Sequence, residues 1–147
     1  MKKHYLNPQA LFHSPYFTHT VAVSGAKRLV YVAGQVSYDR SGQVVGRGDM
    51  RAQTEQVFES LSHNLKAAGA GWGDVVKING YMVGINPQRL TEYRETRTRY
   101  LVPGKLPAST LVGVASLVHP DLLLEVEVIA ALAEAGKKAK PKKKKKR

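Results

Sequence analysis

The chain has 147 residues, no cysteine, 43% apolar residues and a formal net charge of +12. That length holds one domain with one core, and the ordinary apolar fraction lets it fold without covalent staples. The lack of cysteine excludes disulfides, a thiolate nucleophile and thiolate-held zinc.

In chain order, Lys2 and Lys3 are followed by no apolar run, so a cleaved secretory signal is not expected. Residues 17–23 and 28–34 read as two short strands, with Ser24-Gly25-Ala26 supplying hairpin chemistry between them. Asp39-Arg40-Ser41-Gly42 is a second turn. A helix is predicted over about 49–68. Met50, Thr54, Val57, Phe58, Leu61, Leu65 and Ala68 form one stripe, Asp49 is its N-cap, and Gly69 and Gly71 close it. Residues 74–85 read as a long strand and 88–101 as a second helix with the stripe Leu90, Tyr93, Arg97 and Tyr100, stopped by Pro103. The last strands are 108–117 and 122–133, turning near His119-Pro120-Asp121. At Ala135-Gly136 the composition changes. Lys137, Lys138, Lys140, Lys142 to Lys146 and Arg147 carry nine of the 23 basic charges, leaving 14 against 11 acidic residues before them. We therefore divide the chain into a folded domain, 1–136, and a disordered lysine-rich tail, 137–147.

The order ββαβαββ defines an α+β class, with two helices covering one face of a sheet as a two-layer sandwich. The last strand exposes that arrangement. Leu122, Leu124, Val126 and Val128 alternate onto one face and belong against the helices. Leu123, Glu125, Glu127 and Ile129 share the other, which is too apolar to be bare solvent face. A homo-oligomer is expected, with ligand sites in clefts between subunits. No stretch approaches the roughly 20 apolar residues of a membrane-spanning helix, and the cysteine-free composition fits the cytoplasm.

The residues that could carry chemistry are few. His4, His13, His19, His63 and His119 have no paired spacing that would put two metal ligands on one helical face, so no metal site is expected. No serine sits in a nucleophile elbow, and no glycine-rich loop precedes a helix with the lysine that a phosphate cradle needs. Arg89, Arg94, Arg97 and Arg99 read as a solvated or subunit-contacting face of the second helix, with a groove that binds anions as the lesser alternative. Glu125 and Glu127 point the same way, roughly 7 Å apart along a strand. Residues alone leave two readings open: a wet edge strand, or a carboxylate on a central strand beside an interface that relays protons to water.

Three blocks then resemble a known family. Val32-Ala33-Gly34-Gln35-Val36 is similar to its first signature. Gln53-Thr54, Asn64-Leu65, Ala67-Ala68-Gly69-Ala70 and Asp74-Val75-Val76-Lys77 resemble its central block. Pro107-Ala108, Val114-Ala115 with Leu117, and Glu125-Val126-Glu127 resemble its C-terminal signature. On these the chain is identified as a member of the Rid family of reactive intermediate deaminases, also called YjgF or RidA. The resemblance implies the chorismate-mutase-like (RidA-like) ββαβαββ fold as a homotrimer with intersubunit clefts. It also implies cofactor-free hydrolysis of enamines and imines, such as 2-aminoacrylate, to a keto acid and ammonia.

Carried over by position, the resemblance makes Glu125 the catalytic glutamate, and places Tyr16 and Gly34 in the substrate cleft. Two positions depart. The hydroxyl residue before Gly34 is Ala33, and the arginine that clamps a substrate carboxylate is Ser109. Exchanging a bidentate guanidinium for one neutral donor costs about 1.5–3 kcal/mol of binding, so 2-aminoacrylate is not the expected substrate unless another arginine, Arg28 or Arg94, enters the cleft. The expected function is a Rid-type imine or enamine hydrolase acting on a small molecule. The alternative is a non-catalytic small-molecule binder on the same scaffold. The basic tail is expected to attract nucleic acid or another polyanion without sequence preference, if it has a partner at all.

Overall fold

In the computed structural model, which describes residues 1–134, Asp49 starts the longer helix. Its carboxylate accepts the Ala52 amide at 3.0 Å, satisfying one of the donors that the first turn leaves open. This helix, α1, spans Met50–Ala67 and buries Met50, Gln53, Thr54, Val57, Phe58, Leu61 and Leu65. That is the expected stripe with Gln53 added and without Ala68, which caps the helix and is only half-buried. Gly69, at φ 70°, lets its own amide and that of Ala70 return to the carbonyls of Lys66 and Leu65, a left-handed helix end that glycine adopts without strain.

Among the described residues, the other elements are six strands, a second helix and a 3-10 turn at Trp72–Asp74: β1 (Lys2–Leu6), β2 (Thr20–Ser24), β3 (Arg28–Val36), β4 (Val75–Val83), α2 (Pro87–Thr98), β5 (Ala108–Val114) and β6 (Leu124–Leu132). From β2 onward the expected ββαβαββ order holds, in an α+β fold. One pairing is corrected. Residues 17–23 and 28–34 do not form a hairpin: β2 pairs antiparallel with β1, Tyr5 opposite Val21, and β3 lies in a separate four-stranded sheet of order β3-β6-β4-β5. Gly25, at φ 67°, does turn the chain, but from one sheet into the other. The proposed boundary at Ala135-Gly136 and the segment 137–147 lie outside the described residues.

β6 is central, antiparallel to both β3 and β4. β4 and β5 run parallel, and α2 supplies the crossover that parallel neighbours require. Leu122, Leu124, Val126 and Val128 are at most 1% exposed. Leu124, Val126 and Val128 pack with Ile78 and Met82 of β4 beneath Val57, Phe58, Leu61 and Leu65 of α1, in one core that also takes in Tyr93 of α2. Leu123, expected on the other face, precedes β6 and is buried in this core instead. Each such apolar side chain stabilises the fold by about 1.5–3 kcal/mol. Arg51 of α1 binds Glu95 of α2 at 2.7 Å, and Arg99 binds Glu55, fastening the two helices on their solvent side.

Among the described residues, nothing forms a layer on the other face of the four-stranded sheet. Leu29, Tyr31 and Val112 stand 54%, 71% and 43% exposed there, on the side that carries Glu125 and Glu127.

Candidate functional site

Strand register divides the expected site residues between two faces. Ser109 pairs with the buried Ile78, and partners across a ladder point the same way, so Ser109 faces the helix layer. Glu125 pairs with Tyr81, three residues further along β4, and therefore lies on the uncovered face. Within one chain the two do not meet.

On the uncovered face, β3 carries an irregularity between Val32 and Gln35. Ala33 and Gly34 occupy it. A Cβ built on Gly34 would lie 2.8 Å from Cδ of Glu125 and closer still to Oε1, so the carboxylate rests where any other residue would have its side chain. Its neighbour is held differently. Glu127 Oε1 accepts Asn79 Nδ2 at 2.9 Å and the Tyr81 hydroxyl at 3.2 Å. Donating to that carboxylate, with its negative charge alongside, raises the Tyr81 hydroxyl pKa above the ordinary value. Glu125 takes part in no side-chain hydrogen bond among the described residues. Ala33 also lines a groove of about 310 Å³ with Tyr31, Glu127 and Ile129.

On the helix side, a cleft of about 400 Å³ opens between α2 and β5. Tyr16, Arg94 and Ser109 line it together, with Tyr93, Arg97 and Leu111. The Arg94 guanidinium stacks 4.2 Å from the centroid of the Tyr16 ring, a cation–π contact. Arg28 is elsewhere: it donates to the carbonyl of Ala68 at the end of α1. The arginines of α2 do not form one solvated face. Arg89 donates to the Val83 carbonyl at 2.7 Å and Arg99 pairs with Glu55. Arg97 is buried, donating from Nη2 to the Tyr16 carbonyl at 3.3 Å. Its place was legible in the spacing Tyr93, Arg97, Tyr100; the count of four arginines on one helix argued the other way.

A profile described as Endoribonuclease L-PSP matches residues 10–132. The chain belongs to this family. It is the Rid (YjgF/RidA) family of the signatures above, as its relatives also indicate. A RutC family protein of Pyrococcus horikoshii is 35% identical over 106 residues, covering 71% of this chain and 80% of that one. Among solved structures, the Rid family protein YyfB of Yersinia pestis, described as of unknown function, superposes with a TM-score of 0.83 at 33% identity, over 90% of this chain and 100% of the other. Rv2704 of Mycobacterium tuberculosis, a member of the YjgF/YER057c/UK114 family, gives 0.59 at 27% identity over 79% and 86%. Family membership accounts for the two-layer fold. In this Rid chain the cations that share a cleft with Ser109 are Arg94 and Arg97, both from α2.

Proposed function

We propose that the protein is a cofactor-free hydrolase that releases ammonia from a small imine or enamine, with Glu125 as its catalytic carboxylate. The observation that supports this most is the Glu125 side chain itself: half-buried over Gly34, on an uncovered sheet face, and taken up by no internal hydrogen bond among the described residues. A carboxylate so placed is available to a water. The substrate reacts as its protonated imine, which an enamine reaches by taking a proton from solvent at its β-carbon. As water adds to the imine carbon, Glu125 takes one water proton and the electron pair of the carbon–nitrogen double bond passes to nitrogen, giving a neutral amine. The carboxyl group then gives that proton to the nitrogen, and ammonia leaves as the carbon–nitrogen bond breaks and the hydroxyl oxygen forms the carbonyl, its proton passing to the Glu125 carboxylate and on to solvent.

The assembly in this reading is a homotrimer. Exposed Leu29, Tyr31 and Val112 give the uncovered face an apolar surface for a sister chain. β5 is the edge of its sheet, so the cleft at Tyr16 and Ser109 lies beside a rim that a neighbour can reach. Glu125 of one subunit and the α2–β5 cleft of the next would then make one site.

The test is ammonia release from a panel of imines with and without carboxylates. Wild type should accelerate it, and Glu125→Gln should lose about 10²- to 10⁴-fold of that acceleration with an unchanged melting temperature. Equal rates in the two proteins would remove Glu125 from the chemistry. A non-catalytic binder is the second reading, favoured by one fact: among the described residues no carboxylate or imidazole lines the α2–β5 cleft. Ligand-induced thermal stabilisation with no turnover would establish it.

A further inference from the structure

β1 carries a lysine where its alternation calls for an apolar residue. Lys3 and Tyr5 share the inward side of the strand, opposite the half-buried Val23 and Val21 of β2. The Lys3 side chain is 11% exposed. Its amine donates to the Gly73 carbonyl at 3.0 Å and lies 3.8 Å from one oxygen of the Asp74 carboxylate. The other Asp74 oxygen accepts the Gly71 amide at 3.0 Å. So long an ion pair recovers little of what it costs to take an ammonium out of water.

A second group in the same place is unsatisfied. The Tyr5 hydroxyl is buried and, among the described residues, has no hydrogen-bond partner. Lys3, Tyr5, Asp74 and Lys105 line one pocket of about 340 Å³, assembled from β1, the 3-10 turn before β4 and the loop before β5. It shares no lining residue with the α2–β5 cleft. Burial brings the Lys3 ammonium below its ordinary pKa; the Asp74 charge opposes that change and the Lys105 charge adds to it. A desolvated amine beside a second cation is the arrangement that makes a lysine a nucleophile. With Lys3 neutral, Lys105 and Asp74 balance one another, so the pocket suits an uncharged guest.

We propose that Lys3 is a carbonyl-reactive amine, and that this pocket captures a small uncharged aldehyde as an imine on it. The ammonium first gives a proton to solvent. The nitrogen then adds to the carbonyl carbon as the π pair moves to oxygen, and one amine proton passes to that oxygen. The product is a carbinolamine, whose hydroxyl the Tyr5 hydroxyl can hydrogen-bond. The nitrogen pair expels this oxygen, which leaves as water with a proton from solvent, and a protonated imine remains. Ammonium and aldehyde thus give protonated imine and water, with no oxidation or reduction. Lys3 would do this whether or not Glu125 hydrolyses imines.

The test treats the full chain with acetaldehyde and cyanoborohydride, which reduces an imine to a stable ethylamine. Fragmentation of the N-terminal peptide reads Met1, Lys2 and Lys3 separately. Lys3 should be ethylated at least ~10-fold faster than its exposed neighbour Lys2. Tyr5→Phe removes only a hydroxyl without a partner among the described residues, and Lys105 is exposed, so both Tyr5→Phe and Lys105→Glu should fold. Each should slow Lys3 and leave Lys2 unchanged. Glu125→Gln should label as wild type does, so a failure of the hydrolase leaves this result standing. Lys3 reacting no faster than Lys2 would overturn the proposal, as would both pocket variants reacting at the wild-type rate.

Discussion

The Glu125 carboxylate lies in the space that a side chain on Gly34 would fill, with Cγ of Glu125 3.0 Å from that absent Cβ and Cδ nearer. Gly34→Ala should therefore move the carboxylate rather than break the fold, because what must yield is the end of a flexible side chain. We expect ammonia release to fall by up to ~100-fold, the scale of an ångström-sized misplacement, while unfolding free energy drops by less than the ~1–3 kcal/mol of an overpacked core. Parallel rate and denaturation measurements distinguish this from general damage.

Glu127 holds Tyr81. The Tyr81 hydroxyl is raised above 10.0 by its hydrogen bond to Glu127 first and by that residue's charge second. A phenol raised in the folded state contributes stability that is complete below its unfolded value and is lost as pH rises through the folded one. Glu127→Ala should lower the Tyr81 titration and remove this part of the alkaline loss of stability. Phenolate absorbance, assigned with Tyr81→Phe, reads the shift directly.

Gln53 ties α1 to both loops that flank the sheet. Its amide nitrogen donates to the carbonyls of Gly46 at 3.1 Å and Asp121 at 2.8 Å, and its oxygen accepts the Leu123 amide at 2.8 Å. The side chain is fully buried. Gln53→Ala strands three backbone groups and should cost roughly 2–4 kcal/mol in chemical denaturation. Gln53→Glu should be no rescue, since a carboxylate cannot donate to the two carbonyls.

Tyr31 stands opposite Ile129 on the uncovered face. If that face meets sister chains, Tyr31→Glu should weaken assembly by more than ~30-fold, as for a buried aromatic anchor worth about 2 kcal/mol. Light scattering should show monomers where wild type shows trimers, with circular dichroism unchanged. A monomeric wild type would contradict the proposed assembly outright.

How far the sequence carries depends on the kind of signal. α1 is legible because Asp49, seven stripe residues and Gly69 agree with one another, each a local rule. β6 is legible through its alternation, and its length marks it as central. β1 is not: in Lys2–Leu6 only Lys3 and Tyr5 turn inward, half-buried, too short a pattern to stand above its charges. The β2 pairing is missed because Gly25 specifies a turn but not which strand the chain meets after it. The separation of Ser109 from Glu125 is a matter of register across β4, which no single strand's pattern contains. Arg97 is the reverse case, placed by spacing on the buried stripe and outvoted by its charge.

The lysine-rich segment 137–147 brings nine positive charges. If the chain binds RNA or DNA through this segment, affinity should fall steeply with salt, because bound cations release condensed counterions, and should vanish when residues 137–147 are deleted; no binding at low salt would make the segment an incidental extension. Filter-binding across a salt series would show it; retained binding by the truncated protein would move the contact into the domain.

Placing Ser109 and Glu125 on opposite sides of one sheet has a genetic corollary under the proposed assembly. Chains disabled at Glu125 and chains disabled in the α2–β5 cleft would each be inert alone, yet mixed rings would pair an intact half from one with an intact half from the other. Two dead alleles in one cell would then regain part of the activity.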